Sequence, residues 1–253
     1  MKDVIFLTGG AQRVGLYWAQ KLQQQGYQLI ISYRTRHAAV NELEQAGVIC
    51  LQADLTDINS VQQLVQAIQA VTPTLRAIIH NASDWKKDLP LPAAGDLAPQ
   101  LIEDSLVFDA MMAIHAKTPY LLNRALLPLL QAQLRPAGGD AMADIIHISD
   151  FVASVGSEKH QAYAASKAAL ENLTFSQARL LAPNIKVNAI APALLMFNQG
   201  DDEAYKQKAL AKSLLGIEPG PGEVLATIQY LLQSRYITGR VLALDGGRQL
   251  KLP

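Results

Sequence analysis

Short apolar runs of strand length recur along the chain with amphipathic stretches between them, and this alternation limits the fold more than any other feature. The runs are Val4 to Thr8, Leu29 to Tyr33, Val48 to Leu51, Ala77 to His80, Asp144 to Ser149, Ile185 to Ile190 and Arg240 to Leu244. Strands that alternate with helices and are apolar on both faces belong to a parallel sheet covered on both sides. The expectation is therefore an α/β fold. Helices are predicted at Gly15 to Leu22 (stopped near Gly26), His37 to Gln45, Ile58 to Ala70, Gln161 to Leu181 and Pro221 to Leu232. Thr56 or Asp57 caps the third of the strand-flanking helices, with Val61, Leu64, Val65 and Ile68 on one face. Leu101 to Leu134 reads as one long helix or a broken pair, with kinks at Pro119 and Pro128. Asn81 to Gln100 reads as a loop. Pro192 to Gly220 reads as irregular, with a short helix from Asp202 to Leu214. No linker or repeat divides the 253 residues, so 1–253 reads as a single domain.

Charge and cysteine usage narrow the function classes. Lys plus Arg is 22 and Asp plus Glu is 22, which leaves no charge excess for nucleic acid or a membrane surface. The single cysteine, Cys50, excludes a disulfide framework and a cysteine-based metal cluster, so no metal site is expected. The N-terminal apolar run is too short for a signal peptide, and no apolar stretch approaches about 18 uninterrupted residues. A cytoplasmic setting is the expectation.

In open parallel sheets, ligands bind beyond the carboxyl ends of the strands, and the chemistry-bearing residues fall there. Thr8-Gly9-Gly10-Ala11-Gln12-Arg13-Val14-Gly15 joins the first strand to the first helix. Glycines let the backbone approach a pyrophosphate, and free N–H groups at the helix start hold it. Gly9, Arg13, Val14 and Gly15 are thus candidate cofactor residues, the alternative being a plain tight turn. The second strand ends in Tyr33-Arg34-Thr35, and no acid occurs between Gln28 and Val40. An acid there would bond ribose hydroxyls, whereas Arg accommodates a 2′-phosphate, so NADPH is expected over NADH. The alternative is a solvated arginine. Asp54, followed by Leu55, is placed to accept from an adenine amino group or else to start a turn.

Three groups suggest proton delivery. Tyr163 and Lys167 are one helical turn apart on one face. Asp150 lies thirteen residues upstream of Tyr163, at the end of an apolar run. A phenol with a pKa near 10 exchanges protons poorly at neutral pH, and a nearby ammonium is expected to lower that value. The trio makes a plausible acid-base site, although the Tyr-x-x-x-Lys spacing alone is common by chance. Ser149 is a minor candidate, since strand alternation points it to the other side.

Thr8-Gly9…Gly15, His80-Asn81-Ala82-Ser83, Tyr163…Lys167 and Asp245-Gly246-Gly247 resemble the short-chain dehydrogenases/reductases over essentially the whole chain. The resemblance implies a doubly wound Rossmann sheet of about seven parallel strands with helices on both faces, assembled as a homotetramer. It implies Tyr163 as proton donor and Lys167 as holder of the nicotinamide ribose. Cofactor contacts from Asn81, Ala82, Ser83 and Pro192 follow from it too. Three positions depart from the family pattern: Arg13 stands for a third glycine, Asp150 for a serine and His115 for an asparagine. Arg13, Asp150 and Trp85 are similar to their counterparts in the pteridine reductases, and Tyr33-Arg34-Thr35, Ile114-His115, Asn123 and Phe197-Asn198 extend that likeness to bacterial members.

That narrower resemblance implies a small-molecule pterin substrate. Trp85 would stack on one ring face with the nicotinamide on the other, unless it only packs on the protein surface. Ser83 and Arg13 would bond ring polar groups and cofactor phosphates, with Asp150 and Tyr163 completing the substrate site. His115 would hold a water chain or be structural. Hydride would go to C6 of a 7,8-dihydropterin and a proton to N5. A protonated Asp150 can donate, so Asp150 and Tyr163 work as a pair, or water supplies N5 and Asp150 orients Tyr163. A carbonyl or keto-acyl reductase of the same family, or a non-catalytic nucleotide sensor, are the competing readings.

Overall fold

The structure, a computed structural model, describes residues 3–90, 98–133 and 142–251. Seven strands form one sheet: β1 (Val4–Thr8), β2 (Gln28–Tyr33), β3 (Ile49–Gln52), β4 (Ala77–His80), β5 (Ala143–Ile148), β6 (Ile185–Pro192) and β7 (Val241–Leu244), in the order β3-β2-β1-β4-β5-β6-β7. All six pairings are parallel, with Phe6 opposite both Ile30 and Ile78. The order reverses between β1 and β4, which opens a crevice at their carboxyl ends.

Alternation of side chains along each strand divides the core in two. Ile5 and Leu7 face one side, where they pack with Trp18, Leu22, Val224 and Ile228 from α1 (Arg13–Gln24) and α10 (Pro221–Gln233). Val4 and Phe6 face the other, against Val61, Leu64 and Ile68 of α3 (Ile58–Val71) and Leu122 and Leu130 further on. The indole Nε1 of fully buried Trp18 donates to the Pro221 carbonyl at 2.8 Å, fastening α1 to α10. The remaining helices are α2 (Ala38–Gln45), α4 (Ala98–Met112), α5 (Thr118–Ala125), α6 (Leu127–Ala132), α7 (Val152–Val155), α8 (Gln161–Leu181) and α9 (Glu203–Leu210).

Several elements differ from the sequence expectation. The helix expected from Leu101 to Leu134 is α4, a π-helical turn over Ala113–Lys117, α5 and α6; Leu134 lies outside the described residues. Pro119 and Pro128 do not kink a continuous helix but sit in the first turns of α5 and α6, where a missing N–H costs nothing. Ala98 to Gln100, expected as loop, are already helical, and 91–97 of that loop are not described. α9 stops four residues earlier than expected and is capped by Asp202, whose Oδ1 accepts from the Tyr205 N–H at 2.7 Å. α1 starts two residues before Gly15, and the single turn α7 was not foreseen. Among the described residues no helix is long and apolar enough to cross a membrane.

Candidate active site

The loop after β1 is packed too tightly for side chains. Gly9 has φ +66, and a Cβ there would lie 2.9 Å from Ala82 Cα; a Cβ on Gly15 would lie 2.2 Å from the Gly9 carbonyl oxygen. β4 supplies the clamp. Thr8 Oγ1 accepts from the N–H groups of Asn81 and Ala82, both at 2.9 Å. Asn81 Nδ2 donates to the carbonyls of Thr8 at 3.1 Å and Gly9 at 3.0 Å. Arg13, the first residue of α1, holds φ +49, the one non-glycine at positive φ among the described residues. A left-handed side-chain-bearing residue costs about 1–2 kcal/mol, so this chain tolerates strain where the family pattern has glycine.

A cleft of about 600 Å³ opens over this loop, within the range of small-molecule sites. Gly9, Arg13, Val14, Tyr33, Arg34, Thr35, Asp54, Leu55, Asn81, Ala82, Ser83, Asp150, Tyr163, Lys167 and Pro192 all line it. Gly15, Trp85 and His115 do not. Gln12, His37, Ile114, Ile148 and Ala193 to Met196, the start of the irregular stretch expected to cap the substrate, line it as well. Arg34 is the basic group at the end of β2; its Nη1 stands 3.7 Å from Asp84 Oδ2. Arg36 is engaged elsewhere, by Glu44, Asn41 and the Tyr33 hydroxyl. Asp54 Oδ1 accepts from Thr56 N at 2.9 Å and Thr56 Oγ1 at 2.7 Å, which pulls its pKa down. Asp54 therefore starts a turn while also lining the cleft.

At the carboxyl end of β5, Asp150, Tyr163 and Lys167 converge. Tyr163 Oη donates to Asp150 Oδ2 at 2.9 Å, and Val152 N donates to Asp150 Oδ1 at 2.9 Å. Lys167 is 2% exposed; its Nζ donates to the Ile148 carbonyl at 2.8 Å and stands 5.6 Å from the Tyr163 ring centre. Burial lowers the Lys167 ammonium to about 8, against the pull of Asp150 and Glu171. Burial raises Asp150, more than the Val152 and Tyr163 hydrogen bonds and the Lys167 charge lower it. Tyr163 moves opposite to the sequence expectation: burial and then the Asp150 charge drive its pKa up. The phenol is a loaded donor, not a phenolate. Ser149 donates its hydroxyl to Glu171 Oε1 at 2.6 Å rather than to Tyr163.

α8, which carries Tyr163 and Lys167, lacks a side-chain cap of its own. Asp88, from the loop after β4, supplies it: Oδ2 accepts from Gln161 N at 2.5 Å and Oδ1 from Ala162 N at 3.4 Å. The same loop places Trp85 in a stack on His160, ring centres 4.0 Å apart, with the indole 65% exposed. Sequence reasoning missed Asp88 and His160, since a cap from 73 positions away leaves no local signature. His115 is buried behind Ser83, with Nε2 2.8 Å from Ser83 Oγ and Nδ1 2.8 Å from Ser166 Oγ. Among the described residues no cluster of His, Cys, Asp or Glu could hold a metal ion.

A glycine loop, a basic strand end and a buried Tyr-Lys pair in one cleft of a parallel sheet define an oxidoreductase of the dinucleotide-binding class. The family described as Enoyl-(Acyl carrier protein) reductase matches residues 9–249, and the chain belongs to the short-chain dehydrogenase/reductase family. It is 50% identical over 248 residues to the dihydromonapterin reductase of Klebsiella pneumoniae subsp. pneumoniae, covering 98% of this chain and 97% of that one. A crystal structure of FolM alternative dihydrofolate reductase 1 from Brucella suis, in complex with NADP, superposes with a TM-score of 0.81 at 29% identity, covering 99% of this chain and 96% of that one. A putative short-chain dehydrogenase/reductase from Burkholderia xenovorans gives 0.82 at 25% identity, covering 99% of both chains.

Two outcomes follow from the geometry. Arg13→Gly relieves roughly 1 kcal/mol of backbone strain and raises the unfolding midpoint by about 2 °C. The same variant weakens dinucleotide binding about tenfold, so calorimetry and titration move in opposite directions. Lys167 is charged below about pH 8 and neutral above it. The kcat/KM for the dinucleotide, which reports the free enzyme, therefore falls as pH rises through that value. A profile flat well into the alkaline range would contradict this.

Proposed function

We propose that the protein reduces 7,8-dihydropterins with NADPH, taking dihydromonapterin to its tetrahydro form and dihydrofolate weakly. The observation that carries this is the Asp150 carboxyl 2.9 Å from the Tyr163 phenol. A carbonyl reductase builds negative charge on oxygen, and a carboxylate beside it is unfavourable. An imine nitrogen instead receives a proton, and a carboxyl with raised pKa can help deliver one. The 50% identity to a dihydromonapterin reductase and the NADP-bound FolM neighbour support the same substrate class and cofactor.

The cofactor is NADP(H). Arg34 and Thr35 would hold its 2′-phosphate, the loop from Gly9 to Gly15 its pyrophosphate, and Lys167 its nicotinamide ribose. When bound it supplies the hydride that reaches C6 of the substrate, reducing the C6=N5 bond. Tyr163 gives its proton to N5 while the protonated carboxyl of Asp150 replaces the proton on the phenol. One hydride and one proton are consumed, and NADP⁺ and the tetrahydropterin leave. Trp85 exchanges its stack on His160 for a stack on the pterin ring. A cytoplasmic setting suits the single thiol, Cys50, which burial pushes up to about 11 and so leaves unreactive.

Second copies of this chain cover the outward faces of α4 and α8. Leu101, Ile102, Leu106 and Phe108 on α4 and Phe175 and Leu180 on α8 stand exposed, and exposed apolar side chains gathered on neighbouring helices suit an interface. Light scattering should give a tetramer, and Leu106→Glu should shift it toward smaller species; a monomeric parent protein would remove the assignment. For the activity, NADPH oxidation is measured with dihydromonapterin, dihydrobiopterin, dihydrofolate and simple ketones. Dihydropterins are turned over at far higher kcat/KM than ketones. Asp150→Asn lowers kcat by about 10²- to 10⁴-fold with NADPH affinity unchanged. Near-normal turnover in that variant would count against the proton-delivery pair.

A further inference from the structure

The π-helical turn Ala113–Lys117 interrupts the helical run and brings His115 inward, where it is fully buried between two serines. π-turns inside helices often mark functional positions. The hydrogens around this ring can be assigned from the acceptors. Ser166 spends its hydroxyl proton on the Tyr163 carbonyl, 2.7 Å away. Ser166 Oγ must then accept from His115 Nδ1, at 2.8 Å. Burial and the neighbouring Lys167 charge hold the imidazole neutral, down to about 2. A neutral ring with a proton on Nδ1 has a bare Nε2. Ser83 must therefore donate its proton to Nε2 across 2.8 Å. The other oxygens beside Ser83, the Asp84 carbonyl at 3.4 Å and the Tyr163 hydroxyl, would also keep that proton within the protein.

We propose that His115 is a positioning residue that fixes the polarity of Ser83, so that Ser83 meets the substrate with lone pairs only and selects a ring N–H over a carbonyl oxygen. Ser83, Asp150 and Tyr163 all line the cleft. With Asp150 protonated toward the phenol, the site offers Ser83 as its acceptor and the Tyr163 phenol as its donor. That pattern complements a heterocycle with an N–H group beside its basic nitrogen, and it gives a simple ketone no second donor besides the phenol. The asparagine of the family pattern carries both a donor and an acceptor and would leave the Ser83 hydroxyl free to turn. The inference rests on the dihydropterin reading and deepens it.

The test joins a tautomer measurement to a specificity ratio. In ¹⁵N NMR of the whole protein, the histidine signal that vanishes in His115→Asn should show a protonated Nδ1 and a bare Nε2, unchanged from about pH 5 to about pH 9. His115→Asn should lower kcat/KM for the dihydropterin about tenfold, mainly through KM. Its kcat/KM for an N–H-free diketone should hold or rise. Ser166→Ala, which unlocks the tautomer without touching the cleft, should move the ratio the same way by a smaller factor. A proton on Nε2, or an unchanged ratio in a folded His115→Asn, overturns the proposal. If the parent protein reduces no dihydropterin, the functional reading fails instead, and the NMR signal alone decides the polarity of Ser83.

Discussion

A lysine ammonium held almost without water governs the rest of the site. Lys167 keeps one protein acceptor, the Ile148 carbonyl, and burial alone would strip its charge. Asp150 and Glu171 offset that cost by pulling the Lys167 pKa back up. Each carboxyl in turn is raised by its own burial. Two carboxyls and one ammonium in a poorly solvated space share protons as a group, and their titration belongs to the cluster rather than to any member. That coupling gives the site an exchangeable proton close to the phenol. Tyr163 stays protonated first because burial disfavours a phenolate, and second because that charge would stand beside the Asp150 carboxyl.

Such a cluster works only if its distances are fixed, and a neutral polar row beneath it supplies that rigidity. His80 Nε2 reaches Asn123 Oδ1 at 2.7 Å, and Asn123 Nδ2 donates to Gln177 Oε1 at 2.9 Å and lies 3.2 Å from His147 Nε2. His147 Nδ1 meets Thr174 Oγ1 at 2.8 Å. Thr174 gives its proton to the Leu170 carbonyl, so His147 donates from Nδ1 and accepts at Nε2. Burial lowers His80 to about 4 and His147 well below its ordinary value. The row joins β4 and β5 to α5 and α8 without carrying a charge that would compete with Lys167. His80 adjoins Asn81, which clamps the glycine loop, so that loop and α8 share one frame.

The sheet was legible because its seven strands are apolar on both faces, and most cleft-lining residues were legible because they follow strand ends. What escaped reading was physical rather than accidental. The π-turn adds one residue within a run of alanines and aliphatics, and a phase slip of one position there leaves the hydrophobic pattern unchanged. The Asp88 cap joins segments distant in sequence. The direction of the Tyr163 shift depends on burial: sequence spacing shows the ammonium one turn away but cannot weigh it against desolvation and Asp150. Pro119 and Pro128 suggested kinks, since a helix start and a helix bend carry the same proline signal until the preceding residues are seen to break.

The local rules this chain breaks gather at the cleft. Arg13 adopts a glycine conformation, α4 ends in a π-turn, and α8 borrows its cap from another loop. The two apolar faces of the fold close independently of the first two, around Phe6 and Trp18. Each departure sets the direction of a polar group: the guanidinium over the loop, the imidazole behind Ser83, the phenol toward Asp150. Departures from local preference that share a location and a kind of consequence point to a site constraint rather than drift. On that argument Arg13, Asp150 and His115 form one adaptation. On the dihydropterin reading proposed above, they stand where the family pattern has glycine, serine and asparagine and suit a nitrogen heterocycle that must be protonated.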